Sequence, residues 1–195
     1  LLNSDTLVFP GWYQRLMAHA DGNPHIATVT PLSNAGSIAS YPGGEENPCT
    51  EETARRRNQA SASANAGLHV EAPTGVGFCM FVRRDCLNEV GAFDEQLFGR
   101  GYGEENDFCM RASAHGWTHV IAGDVYVLHR NGMSFGATRN GWMTRNEAVL
   151  DQRHPSYKGL VEKFHAAQPL GPLRRRIDIA LLREDRNVGI VVPSG

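Results

Sequence analysis

Gly101-Tyr102-Gly103-Glu104-Glu105-Asn106-Asp107-Phe108-Cys109-Met110-Arg111 is the stretch from which the fold is read. A glycine-punctuated loop, residues 99–103, runs directly into a helix expected over 104–115. Three acids, Glu104, Glu105 and Asp107, fall in its first turn, and Arg111 and His115 come late. That order suits the helix macrodipole, and Gly116 provides the stop. Glycines ahead of the acids let backbone approach a ligand closely, because no Cβ stands in the way. Crowded like charges raise one another's pKa, which is one route to a general base near neutrality. A solvated helix start is the plain alternative for the same residues.

Outward from this block the chain alternates strands and helices. Residues 85–91 read as a short helix closed by Gly91, and 75–84 as a central strand. A Glu-, Arg- and Ala-rich segment, 50–66, reads as helix, and 31–48 as a long polar loop. Residues 25–30 are β-branched and strand-like. A helix opens at Pro10-Gly11, with apolar residues at 12, 13, 16 and 17, and closes at Asp21-Gly22-Asn23-Pro24. Leu1-Leu2-Asn3-Ser4-Asp5-Thr6 reads as the end of a buried strand.

Downstream, 117–129 reads as a strand pair ending at His129, followed by a Gly-rich stretch to 141. Residues 142–167 are partly helical, and 169–172 read as a linker before Arg174-Arg175-Arg176. Residues 188–193 read as a fresh buried strand. The expected division is therefore a domain over 1–165 and, over 166–195, a linker with the start of a following domain.

The chain has 195 residues, a net charge of −2, 41% hydrophobic and 21% charged residues, enough for one domain with a real core. No apolar run reaches the ~18 residues of a membrane span, and the charge balance gives no pull toward nucleic acid. The four cysteines form no CxxC pair, so reduced structural thiols in a cytoplasmic protein are expected.

Several positions could carry chemistry. Asp5 leaves a strand end, with Asn3 on the same side, and could bind a hard divalent cation that also touches phosphates, or could cap the next turn. His129 at a strand end could be a metal ligand or a packed imidazole. Arg130 and Arg139 could meet phosphate oxygens.

The order of these features resembles the inverting GT-A glycosyltransferases of family 2, close to the rhamnosyltransferase-like members. The matching text is Leu-Leu-Asn-Ser-Asp-Thr (1–6), Thr-Pro-Leu-Ser-Asn (30–34), Ser-Tyr-Pro (40–42), Val-Gly-Ala-Phe-Asp-Glu (90–95), the block at 101–111, and His129 with Ser134. The resemblance runs from residue 1 to about 140, and it is most specific over 90–111. It implies an α/β GT-A fold, a mixed sheet flanked by helices, with the family's nucleotide-binding N-terminal half missing.

By the same resemblance, Asp5 is the metal-binding acid of the DxD element, in which Asn3 stands where another acid often lies. His129 completes the metal site. Glu105 matches the catalytic-base acid, as Glu where the family has Asp, with Glu104 beside it as the alternate; Asp107 is structural. Asn3, Asp5, Arg130 and Arg139 would serve the donor phosphates. Trp12, Gly101, Tyr102 and Gly103 would shape the acceptor pocket. The implied reaction moves a sugar from a nucleotide-diphosphate donor to the hydroxyl of a glycan or lipid-linked acceptor, with inversion, assisted by Mn2+ or Mg2+, in cell-surface polysaccharide or glycan synthesis. Such a protein would be cytoplasmic or peripheral at the inner membrane face, and this chain a poorly active fragment of it. A non-catalytic carbohydrate- or nucleotide-binding module and a metal-dependent phosphohydrolase using Asp5, Glu105 and His129 remain open.

Overall fold

A computed structural model describes residues 1–44, 47–99, 102–130 and 139–185, with only the backbone of 139–142. Five strands form one mixed sheet: β1 (Thr6–Leu7), β2 (Ile26–Ser33), β3 (His69–Ala72), β4 (Phe81–Val82) and β5 (Thr118–His129). The order is β1-β5-β2-β4, with β3 also on β5. β2 and β5 run parallel; the other pairings are antiparallel. Among the described residues eight α-helices accompany them: α1 (Trp12–Asp21), α2 (Glu51–Ala64), α3 (Arg84–Val90), α4 (Glu95–Phe98), α5 (Glu104–Ala114), α6 (Arg139–Arg153), α7 (Tyr157–Ala167) and α8 (Gly171–Asp185). Local chemistry sets several ends. The Thr50 hydroxyl accepts from the Thr53 amide at the start of α2, and Asp94 does the same for Leu97 at α4. Gly91 closes α3 with φ +83°.

β5 is one strand, not the expected pair. Its pairing with β2 jumps from Ala122 to Tyr126, so 123–125 bulge out of register. A bulge reverses which face each later side chain meets. Val120 and Ala122 pack with Leu16 and Ile26 beside α1, and so do Val125 and Val127; Ile121, Tyr126 and Leu128 pack in the other cluster. The broken period is what mimicked two strands.

Other expectations are corrected as well. Within 75–84 only Phe81–Val82 is strand, at the sheet edge rather than its centre. The chain turns tightly there: a Cβ on Gly75 would lie 2.3 Å from the Met80 sulfur. The segment expected as a polar loop, 31–48, continues β2 through Ser33 and then buries Ile38, Ala39 and Tyr41. Leu1 and Leu2 are exposed rather than the end of a buried strand, and the buried residue of that segment is Asp5. Residues 169–172 lead into α8, whose Leu173 and Ile177 enter the cluster of Leu32, Ile121 and Tyr126. The strand expected at 188–193 lies outside the described residues.

All four cysteines are free thiols, and burial pushes Cys79 and Cys109 up to about 12 and Cys86 up to about 11. Among the described residues no helix is long and apolar enough to cross a membrane.

Candidate active site

β1 pairs with the end of β5 so that Thr6 faces His129, which brings the Asp5 carboxylate to 3.4 Å from His129 Nε2. The Arg130 amide donates to the Asp5 carbonyl at 2.8 Å and locks the register. Asn34 holds the end of β5: its Oδ1 accepts from the His129 amide and its Nδ2 donates to the His129 carbonyl. His129 Nδ1 lies 3.0 Å from the Ala35 carbonyl, which can only accept, so Nδ1 carries the proton. Nε2 thereby faces Asp5. A backbone oxygen behind one ring nitrogen, leaving the other directed outward, is how proteins orient an imidazole ligand for a metal.

Glu105 sits in the first turn of α5. Its Oε2 accepts from the Gly103 amide at 3.3 Å, and the Gly77 amide also donates to the carboxylate. The residue keeps some surface open, but its carboxyl is closely packed; burial, reinforced by the neighbouring Glu104, pushes it up to about 7. Burial also raises Glu104, whose Oε2 is shut from solvent without a hydrogen-bond partner among the described residues. Asp107 is set apart from both. It is fully buried and meets Arg111 Nε at 2.8 Å, His154 Nε2 at 2.8 Å and Arg153 Nε at 3.1 Å, so it ties α5 to α6 and the turn after it.

Two consecutive residues join the acid to the Asp5–His129 pair. A Cβ on Gly77 would lie 3.7 Å from the Glu105 carboxyl carbon. Phe78 stacks on His129 with ring centroids 5.3 Å apart, and its carbonyl accepts from the Asn3 amide. Asp5, His129 and Glu105 therefore line one locality around 77–78. Nothing in the sequence marked Gly77 and Phe78 for this, because their residue types fit a strand equally well. Asn34 had a visible signal, its place in the 30–34 match.

The remaining candidates divide. Asn3 is exposed next to Asp5. Arg130 points to Glu51 of α2 at 3.6 Å. Tyr102 takes φ +70° and Gly103 φ +100° immediately before the acids. Trp12 faces elsewhere, lining a groove of about 350 Å³ with Tyr13, Leu16, Met80, Phe81 and Phe93, which none of Asp5, Glu105 and His129 lines. Gly101 and Ser134 lie outside the described residues, as does the side chain of Arg139. Among the described residues no group of three or more His, Cys, Asp or Glu could hold a metal.

No protein-family model matches the chain. It is 28% identical over 155 residues to N-acetylglucosaminyl-diphospho-decaprenol L-rhamnosyltransferase from each of two strains of Mycobacterium tuberculosis. The match covers 69% of this chain and 47% of each relative. The chain thus spans about half the length of the curated relatives it matches.

Proposed function

We propose that the chain carries the catalytic base and a metal-binding edge of an inverting glycosyltransferase acting on a nucleotide-diphosphate sugar. The observation that carries this reading is Glu105, a carboxyl pushed up to about 7 that packs against Gly77, whose neighbour Phe78 stacks on His129 of the Asp5–His129 pair. A base whose pKa lies near the working pH combines a useful deprotonated fraction with real proton affinity.

The step is a single displacement. An acceptor hydroxyl attacks the anomeric carbon from the face opposite the diphosphate, the carbon–oxygen bond to the diphosphate breaks, and the hydroxyl proton passes to Glu105. The leaving nucleoside diphosphate departs with the electron pair. Asp5 and His129, an oxygen and a nitrogen donor, fit a shared Mn2+ or Mg2+, which would neutralise charge growing on the diphosphate. Arg130 adds a cation at the same strand end. The likeness to the rhamnosyltransferases supports a deoxyhexose or hexose donor and a lipid-linked sugar diphosphate acceptor.

The test is release of nucleoside diphosphate from a panel of nucleotide sugars with Mn2+, with and without an N-acetylglucosaminyl-diphospho-lipid. Acceptor-dependent release that Glu105→Gln lowers by about 10²–10⁴-fold, while nucleotide-sugar binding persists, is the expected result. Equal release without acceptor would indicate the phosphohydrolase instead, and binding with no release the non-catalytic module.

A further inference from the structure

We infer that Asn146 of α6 is a positioning residue for Glu105, holding the turn before α5 so that the carboxyl stays packed; this rests on Glu105 being the base. Asn146 is buried, at 1% exposure, and its Nδ2 donates to two carbonyls, Phe98 at 2.8 Å and Tyr102 at 2.9 Å. Arg145 Nη1 donates to Asn146 Oδ1 at 3.0 Å and to the Leu97 carbonyl at 3.1 Å. An arginine can only donate and a carbonyl only accept, so the amide has one workable orientation, oxygen to Arg145 and both N–H bonds to the turn. A single side chain therefore fastens the end of α4 to Tyr102, two residues before the first acid.

The stapled backbone is unusual. Tyr102, a residue with a Cβ, is held at φ +70°, a conformation that costs free energy and persists only where surroundings enforce it. The next residue, Gly103, sends its amide to Glu105 Oε2. A short path therefore runs from the Asn146 amide through the Tyr102 carbonyl and the Gly103 amide to the carboxylate. α6 is a firm base for it, because Arg153 and His154 fasten its far end to Asp107 on α5.

Removing the staple has two opposed effects on Glu105. Loss of the Gly103 donor would raise its pKa, and admission of water would lower it. Burial is the largest cause of the present rise, so the net movement is downward. In 13C-glutamate-labelled protein, with Glu105→Gln assigning the resonance, the wild-type carboxyl should titrate near 7, and Asn146→Ala should move it down by roughly one to two pH units. Asn146→Ser, which keeps one small polar group in the cavity, should move it in the same direction and serves if the alanine variant does not fold. A purely structural role would lower melting temperature and leave the midpoint in place. A midpoint still near 7 in either folded variant overturns the assignment, and so does a wild-type carboxyl that titrates in the ordinary glutamate range. A downward shift in protein with no transfer activity would leave the latch standing and remove the transferase reading alone.

Discussion

Phe78 lies flat against His129, with ring centroids 5.3 Å apart and planes inclined by 18°, while its neighbour Gly77 faces the Glu105 carboxyl. The contact fixes the imidazole from a third side, after Ala35 behind its Nδ1 and Asn34 on its backbone. It also makes one dipeptide common to Glu105 and the Asp5–His129 pair, so motion at 77–78 would disturb both at once.

If Asp5 and His129 hold a divalent ion, His129→Ala should abolish Mn2+ binding in the presence of a nucleoside diphosphate, followed by Mn2+ electron paramagnetic resonance. Asn34→Ala leaves both donors in place and loosens only the strand end. It should weaken Mn2+ by about tenfold or somewhat more, as outer supports of metal ligands commonly do. Unchanged Mn2+ affinity in His129→Ala would sink the assignment.

If Glu105 is the base of a transferase, the rate should rise with pH to a plateau, with its midpoint near 7, because the carboxyl must lose its proton to act. Glu105→Gln should cost about 10²–10⁴-fold and leave the residual rate without that midpoint. Stability moves the opposite way. Between the ordinary carboxyl value of 4.5 and about 7, the native state keeps a proton that the unfolded chain releases, so stability falls as pH rises through that window. Glu105→Gln, which has no proton to lose, should therefore be more stable than wild type above neutrality by on the order of 1–2 kcal/mol, a figure reduced for partial exposure. Denaturant midpoints at pH 5 and pH 8 would show it.

Asp107→Asn should destabilise the protein by about 3 kcal/mol, since it strips the counter-charge from Arg111 and Arg153 and weakens the contact with His154 at a fully buried position. The loss should appear as a lower urea midpoint. A change near zero would mean that α6 is not fastened through this carboxylate.

Leu173→Ala should cost about 2–4 kcal/mol, as for other buried leucines. Its Cδ1 lies 2.7 Å from where a Cβ on Gly123 would be, inside the bulge of β5. A drop in melting temperature of roughly 2–4 °C per kcal/mol follows for a chain of this size. A single cooperative transition that moves as a whole would show that α8 shares the core of residues 1–165; loss of only a minor transition would restore the separate segment.

Local signals made much of this legible. α1, α2, α3 and α5 were readable because capping residues, glycine stops and first-turn acids act within a few positions of one another. The candidate acid Glu105 and the strand-end His129 were readable for the same reason, each sitting at the end of an element with a clear boundary. The segment at 75–84 was misread because apolar residues around two glycines look alike in a central strand and in a tight turn. The segment at 31–48 was misread because its polarity hides how closely its backbone is packed.

Sequence alone settled the residue types, the starts of α1, α2, α3 and α5 and the presence of glycines ahead of paired acids, since these depend on interactions between near neighbours in the chain. Tertiary structure decided the rest. Only β1 lying antiparallel on β5 brings Asp5 to His129, and only the fold brings Gly77 to Glu105 and Phe78 to His129. Only the packing of Tyr41, Leu170 and Leu173 shows that the 31–48 segment and α8 belong to the core. The raised Glu105 carboxyl belongs to the same class: its main cause is exclusion of water by groups remote in sequence, and burial is a property of the folded whole.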